Sequence, residues 1–154
     1  LQKNISQFNF QDIELCEQAV WEKDGTLKFS QEGADAGNIA EFPSSNELIT
    51  VACSRLYDRL DEVIDFLKID IEGAELLVLE DCKSRLHNVM RLFVEYHSYS
   101  GRPQELDQLL HILKDTGFRY YIQAVGSSSP TPFIHVSEHL GMDLQLNIFA
   151  YRNV

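Results

Sequence analysis

Apolar and polar side chains alternate with a period of two over residues 65–72 and again over Leu144 to Tyr151, where Leu144, Leu146, Ile148 and Ala150 oppose Gln145, Asn147, Phe149 and Tyr151. Met90 to Tyr96 and Phe118 to Val125 read as two further β runs. Between these runs the period lengthens. Leu106, Leu109, Leu110 and Leu113 follow helical spacing after Gly101-Arg102-Pro103, with Pro103 suited to a first helical position and Gly117 to the stop. Residues 74–79 are rich in Leu and Glu and predict a helix with Glu75 in its first turn, where a carboxylate meets the positive end of the helix dipole.

The amino-terminal part is less regular. Residues 1–9 predict the end of a helix, and Ile13 to Val20 a strand. Asp24-Gly25 is a hairpin signal between Trp21 and Thr26 to Ser30. Residues 31–47 read as a surface loop, Leu48 to Ala52 as a short strand, and Ser54 to Val63 as a short helix capped by Ser54. From residue 65 the order is strand, helix, strand, helix, strand, strand, which predicts α/β architecture with a mainly parallel sheet.

The run Asp65-Phe66-Leu67-Lys68-Ile69-Asp70-Ile71-Glu72-Gly73-Ala74-Glu75 places Phe66, Lys68, Asp70 and Glu72 on one face and Leu67, Ile69 and Ile71 on the other. Gly73 breaks the strand. Ligands of open parallel sheets bind just beyond the carboxyl ends of the strands, so Asp70 and Glu72 stand at the expected edge. The plain structural alternative is an ion pair of Lys68 with Asp70 or Glu72. On the following β run Glu95 and His97 lie two apart and share a face, so a strand–helix–strand crossover would bring three carboxylates and one imidazole together. His97 is then a candidate general base, or a ligand of a hard cation shared with the carboxylates. One His among carboxylates does not suit tetrahedral zinc, and oxygen-rich magnesium coordination is the better match if a metal binds, but no metal is the default expectation. His135 and His139, at i and i+4, imitate a metal pair without a firm helical context.

Bulk properties narrow the classes. A length of 154 residues with 44% hydrophobic content suits one domain. A formal net charge of −11 without a basic cluster argues against nucleic-acid binding. Cys16, Cys53 and Cys82 are odd in number and none forms a CxxC pair, which speaks against a disulfide framework and for a reducing, cytoplasmic setting. No apolar run reaches the ~18 residues of a membrane span. The opening Leu1-Gln2-Lys3-Asn4 has neither Met nor a signal region, so a piece of a longer protein is expected.

The segment DFLKIDIEGAE, residues 65–75, closely resembles the signature of the FkbM family of S-adenosylmethionine-dependent methyltransferases. LQKNISQFN resembles that family's helix before the third strand, IELCEQAVWEKDGTLKF its third strand with the Ala-Val pair and the hairpin after it, and LFVEYH its fifth strand. The resemblance implies a Rossmann-like class I methyltransferase sheet and transfer of a methyl group from S-adenosylmethionine to a hydroxyl of a small molecule or sugar. The resemblance supplies the activity, and the residues supply Asp70, Glu72, His97 and Glu95 as the catalytic set; Gln18, Ala19 and Asp70 are the cofactor contacts that the resemblance carries over to this chain. The family's glycine-rich turn, Asp-Val-Gly-Ala-Asn-Ile-Gly, does not occur in the sequence, so the chain is expected to lack the first two strands of that sheet and to represent the carboxyl-terminal portion of the domain. An exposed sheet edge would then invite self-association. Two other readings compete: a metal-assisted hydrolase using Asp70, Glu72, Glu95 and His97, and a non-catalytic domain that binds a partner through the open edge.

Overall fold

The computed structural model describes residues 2–8, 10–32, 36–39, 48–126 and 129–152. Helix α1 spans Gln2–Phe8, and strands β1 (Ala19–Trp21), β2 (Gly25–Glu32), β3 (Ala36–Ile39) and β4 (Leu48–Arg55) form one sheet in the order β1-β4-β2-β3. A second sheet is built from β5 (Leu67–Ile69), β6 (Arg91–Tyr99), β7 (Arg119–Ala124) and β8 (Met142–Tyr151) in the order β5-β6-β8-β7. Helix α2 (Glu75–Cys82) joins β5 to β6, and α3 (Leu106–Asp115) joins β6 to β7. Among the described residues no helix is long and apolar enough to cross a membrane.

The sheets are mixed rather than mainly parallel. β1 with β4 and β5 with β6 are parallel, whereas β2 with β3, β2 with β4, β6 with β8 and β7 with β8 are antiparallel. Connection chemistry explains the correction. A parallel neighbour needs a crossover of a dozen or more residues, usually helical, and α2 supplies one between β5 and β6. Between β7 and β8 the chain carries Gly126, Pro130, Pro132 and Gly141 and no described helix, so β8 returns antiparallel and inserts between β6 and β7.

Several local expectations shift for similar reasons. The strand expected over residues 13–20 exists only at Ala19–Trp21, where Cys53, Ser54 and Arg55 supply partners; Ile13 is exposed. Asp24-Gly25 does turn the chain, but the flanking strands do not pair with each other. β4 lies between them, and Ala19 and Gly25 both face Cys53. Parallel pairing with Val20 and Trp21 of β1 keeps Ser54 and Arg55 extended, so the helix expected over residues 54–63 shrinks to a 3₁₀ turn at Tyr57–Arg59. Part of the expected 31–47 loop is β3 paired to β2, while residues 33–35 and 40–47 lie outside the described residues. Helix α3 starts at Leu106 rather than Pro103, after the Glu105 backbone N–H is taken by the Tyr96 hydroxyl at 2.9 Å. Gly117 ends that helix at φ +84°, a conformation that glycine adopts without strain.

One apolar cluster holds β5, α2, β6, α3 and β8 together. Val78, Leu79, Leu86, Leu92, Val94, Leu109, Leu113 and Ile148 are essentially excluded from water, each large side chain contributing about 1.5–3 kcal/mol before entropy is counted. Leu67, Ile69 and Ile71 face this cluster as their alternation requires, although only Leu67–Ile69 pair as a strand. Val20 of β1 packs against it as well, as do Leu56 and Tyr57 just after β4. Cys53 and Cys82 are buried and all three cysteines are free thiols; burial pushes the Cys82 thiol up to about 12.

Arg152 closes this layer. Its guanidinium donates to the carbonyls of Leu86 (2.8 Å), Val89 (2.9 Å) and Thr116 (2.6 Å), and lies over the Phe118 ring at 4.1 Å. The end of β8 is thereby tied to the segments that follow α2 and α3. A Cβ at Gly117 would stand 3.0 Å from Arg152 Nη1, a second reason for glycine there. Arg152→Met, which keeps length and apolar bulk but removes the guanidinium donor from three carbonyls, of which that of Leu86 still accepts the Val89 N–H, is expected to destabilise the chain by about 2–4 kcal/mol. Urea unfolding with a midpoint unchanged from wild type would contradict this.

Candidate functional site

The site grows out of the reversal between β5 and α2. Glu72 sits at φ +55° and Gly73 at φ +97°, two successive left-handed residues that turn the chain off the strand end and into the helix. Glu72 carries the cost of that conformation, of order 1–3 kcal/mol for a non-glycine residue. Gly73 also has a steric reason, since a Cβ there would come within 2.9 Å of the Tyr99 ring.

The turn aims backbone N–H groups at one carboxylate. Glu75 Oε1 accepts from Gly73 N at 3.0 Å and from Ile71 N at 3.4 Å. The same oxygen meets His97 Nδ1 at 2.9 Å. Both side chains are buried, Glu75 at the first turn of α2 and His97 near the carboxyl end of β6. Burial pulls His97 toward the neutral form, but the Glu75 hydrogen bond and the charges of Glu75, Glu72 and Glu95 outweigh it, so its pKa lies above the ordinary histidine value. Glu72 moves upward too, first through burial and then through its carboxylate neighbours, with His97 opposing.

The other ring nitrogen faces a looser set of groups. His97 Nε2 is 3.4 Å from Gln145 Nε2, 3.7 Å from Glu72 Oε2 and 3.9 Å from Glu95 Oε1. Gln145 is the register partner of His97 on β8 and donates to Glu95 Oε1 at 2.6 Å. The Tyr99 hydroxyl reaches Glu72 Oε2 at 3.5 Å. A cleft of about 500 Å³ opens beside Glu72, His97 and Tyr99, lined by Trp21 at the end of β1 and Glu22 after it, Glu72 to Leu77, Tyr96 to Tyr99, and Arg102 with Glu105. The bidentate pair of Arg55 with Asp81, at 2.5 and 3.1 Å, fixes β4 against α2 and so brings the end of β1 to the cleft, because Trp21 is in register with Arg55.

Asp70, Glu72 and His97 come together, with one donor atom of each within 4.8 Å of the others, and Glu95 stands beside His97. Asp70 also forms the alternative ion pair, with Lys68 Nζ at 2.8 Å, and it does not line the cleft. Asp70, Glu72 and His97 are close enough to share a hard cation, but the Lys68 ammonium already supplies a positive charge to Asp70. Gln18 is exposed and Ala19 begins β1; neither lines the cleft, which takes Trp21 and Glu22 from that segment instead. His135 and His139 are exposed and lie outside this cleft. Glu75, Gln145, Tyr99 and Trp21 were not singled out as site residues by the pattern. Glu75 was present in the same charged run but read as a helix-dipole residue, and Gln145 is visible only once β8 is known to pair with β6.

No curated protein and no solved structure matches the chain. A family model does: that of the methyltransferase FkbM domain, over residues 7–120, which takes in β1, the charged turn, α2, β6 and α3. The charged turn, the buried Glu75–His97 pair and the cleft above them thus fall inside the matched segment, and the chain belongs to the FkbM methyltransferase family.

Proposed function

We propose that this chain is part of a methyltransferase that moves a methyl group from S-adenosylmethionine to a hydroxyl of a small molecule or sugar. The observation that carries this reading is His97 Nε2, buried at the cleft beside Glu72 while Nδ1 is engaged by Glu75. A hydroxyl must lose its proton as it becomes a nucleophile, and an imidazole with one nitrogen hydrogen-bonded to a carboxylate is suited to accept it. The neighbouring carboxylates stabilise the imidazolium so formed.

The lining chemistry is compatible with the cofactor. Glu22, Glu72, Glu75 and Glu105 give the cleft a negative character that suits a sulfonium cation, and Trp21 and Tyr99 offer aromatic faces that suit an adenine or the sulfonium itself. S-adenosylmethionine, when bound, supplies the electrophilic methyl group. This chain's residues then have three tasks: Glu72 and Tyr99 orient the acceptor hydroxyl, His97 receives its proton at Nε2, and Glu95 with Gln145 keeps the open side of the ring polar. Methyl transfer is an in-line displacement, so positioning carries much of the rate. The metal-assisted hydrolase reading draws on the closeness of Asp70, Glu72 and His97. The family match favours methyl transfer over it.

Three outcomes test the proposal. In the complete enzyme His97→Asn should lower methyl transfer by about 10²–10⁴-fold with the fold retained, the usual contribution of a positioned base. Asp70→Asn should cost less, because that carboxylate is paired with Lys68 and stands outside the cleft lining; an equal or larger loss would move the role of base toward Asp70.

The pH profile follows from the His97 environment. A base works in its neutral form, and the folded protein holds His97 above its ordinary value, so kcat/KM should rise with pH through an apparent pKa higher than about 6.5. A profile already flat below that value would exclude His97 as the titrating group.

The third outcome concerns the chain alone. The sequence has no glycine-rich phosphate-type or methionine-binding turn, and β5 ends the second sheet with no partner on its outer side among the described residues. We expect isothermal titration of the 154-residue chain with S-adenosylmethionine to show no saturable heat at micromolar protein, and the chain to self-associate along β5. Tight one-to-one binding would mean that these residues form a whole cofactor site.

A further inference from the structure

We propose that Glu75 is the positioning residue of the site: it holds the proton of His97 on Nδ1 and thereby leaves the Nε2 lone pair turned toward Glu72 and the cleft. The inference rests on the reading of His97 as the proton acceptor, but its geometry stands independently of that reading.

The acceptor oxygen is placed before the imidazole arrives. Glu75 Oε1 already receives Gly73 N–H at 3.0 Å and Ile71 N–H at 3.4 Å, and these backbone donors are fixed by the left-handed turn at Glu72 and Gly73. The side chain is 2% exposed, so it has no room to swing away. An oxygen that accepts two N–H groups remains an acceptor toward the third, and the 2.9 Å contact therefore requires a hydrogen on Nδ1. Turning the ring over would put a carbon against Glu75 and forfeit the bond. At the other nitrogen Gln145 Nε2 stands at 3.4 Å; its amide donates one hydrogen to Glu95 at 2.6 Å, and its second can make only a long contact with the Nε2 lone pair. One end of the ring is thus held and the other left available, the division of labour that a carboxylate imposes on an imidazole base in hydrolytic triads. Capping of the turn alone would not need a buried imidazole on the same oxygen.

The test reads the tautomer directly. Long-range ¹H–¹⁵N spectra of the chain, with the His97 ring assigned by its loss in His97→Asn, should show the Nδ1–H form at a pH where the ring is neutral. Glu75→Gln keeps an oxygen at the Oε1 position and should keep that tautomer. Glu75→Leu removes the acceptor and should release the ring to the Nε2–H form or a mixture. In the complete enzyme the Leu variant should lower kcat by about 10²-fold or more with the acceptor KM little changed, and the Gln variant should recover part of that loss. A neutral wild-type ring protonated on Nε2, or a folded Leu variant that retains Nδ1–H, would overturn the proposal. Should the Leu variant fail to fold, the tautomer in wild type and in the Gln variant still decides. Undiminished turnover in His97→Asn would instead remove the base role of His97 and leave the tautomer result standing, so the two readings fail separately.

Discussion

A carboxylate as deeply buried as that of Glu75 must find its hydrogen bonds inside the protein, because an unpaired charge there would cost several kcal/mol. Three donors meet the demand: the N–H groups of Ile71 and Gly73 and the His97 imidazole. Two of them exist only because Glu72 and Gly73 adopt left-handed backbone conformations, and the third only because β6 lies beside β5. The turn, the start of α2 and the end of β6 are therefore one unit. Loosening any of them leaves a buried charge uncompensated, which is why the strain at Glu72 is tolerated.

The cleft depends on how the first sheet is held to this unit. β4 is the shared neighbour of β1 and β2, and its last residue, Arg55, grips Asp81 of α2 while pairing in register with Trp21. Trp21 and Glu22 thereby reach the same space as Glu72 and His97. The other face of the second sheet has a different character. Lys68 lies 5.8 Å from the Phe93 ring, Phe93 meets Phe149 edge-on at 5.1 Å, and Tyr121 continues the row at 6.4 Å. Helices α2 and α3 pack on the opposite, leucine-rich side, so polar chemistry and apolar packing are separated by the sheet and meet only at its carboxyl edge.

Much of the second sheet was legible in the residues because its signals are local. Alternation in residues 65–72 and 144–151, the leucine spacing of α3 and Gly117 at its end each follow from the periods of strand and helix or from one backbone conformation. So was the convergence of Asp70, Glu72, Glu95 and His97, since a strand–helix–strand unit brings the carboxyl ends of both strands to one edge. The first sheet was harder. Residues 13–18 have strand-like composition but no ladder partner among the described residues, and Ser54 and Arg55 have helix-compatible neighbours but are held extended by their pairing with Val20 and Trp21 of β1. Such outcomes depend on who sits next to whom, which local pattern does not contain.

The amino-acid sequence by itself determined the charged strand end, the glycine that ends it, and the membership in a methyltransferase family that this run signals. Only the tertiary structure decided which of the charges are spent on each other. Asp70 turned to Lys68, two residues away on the same strand face, while Glu75 turned inward to His97, twenty-two residues on and across two elements. The physical reason is reach and burial. A same-face pair on an exposed edge forms from local geometry alone, whereas a buried pair forms only where packing removes water and brings distant segments together.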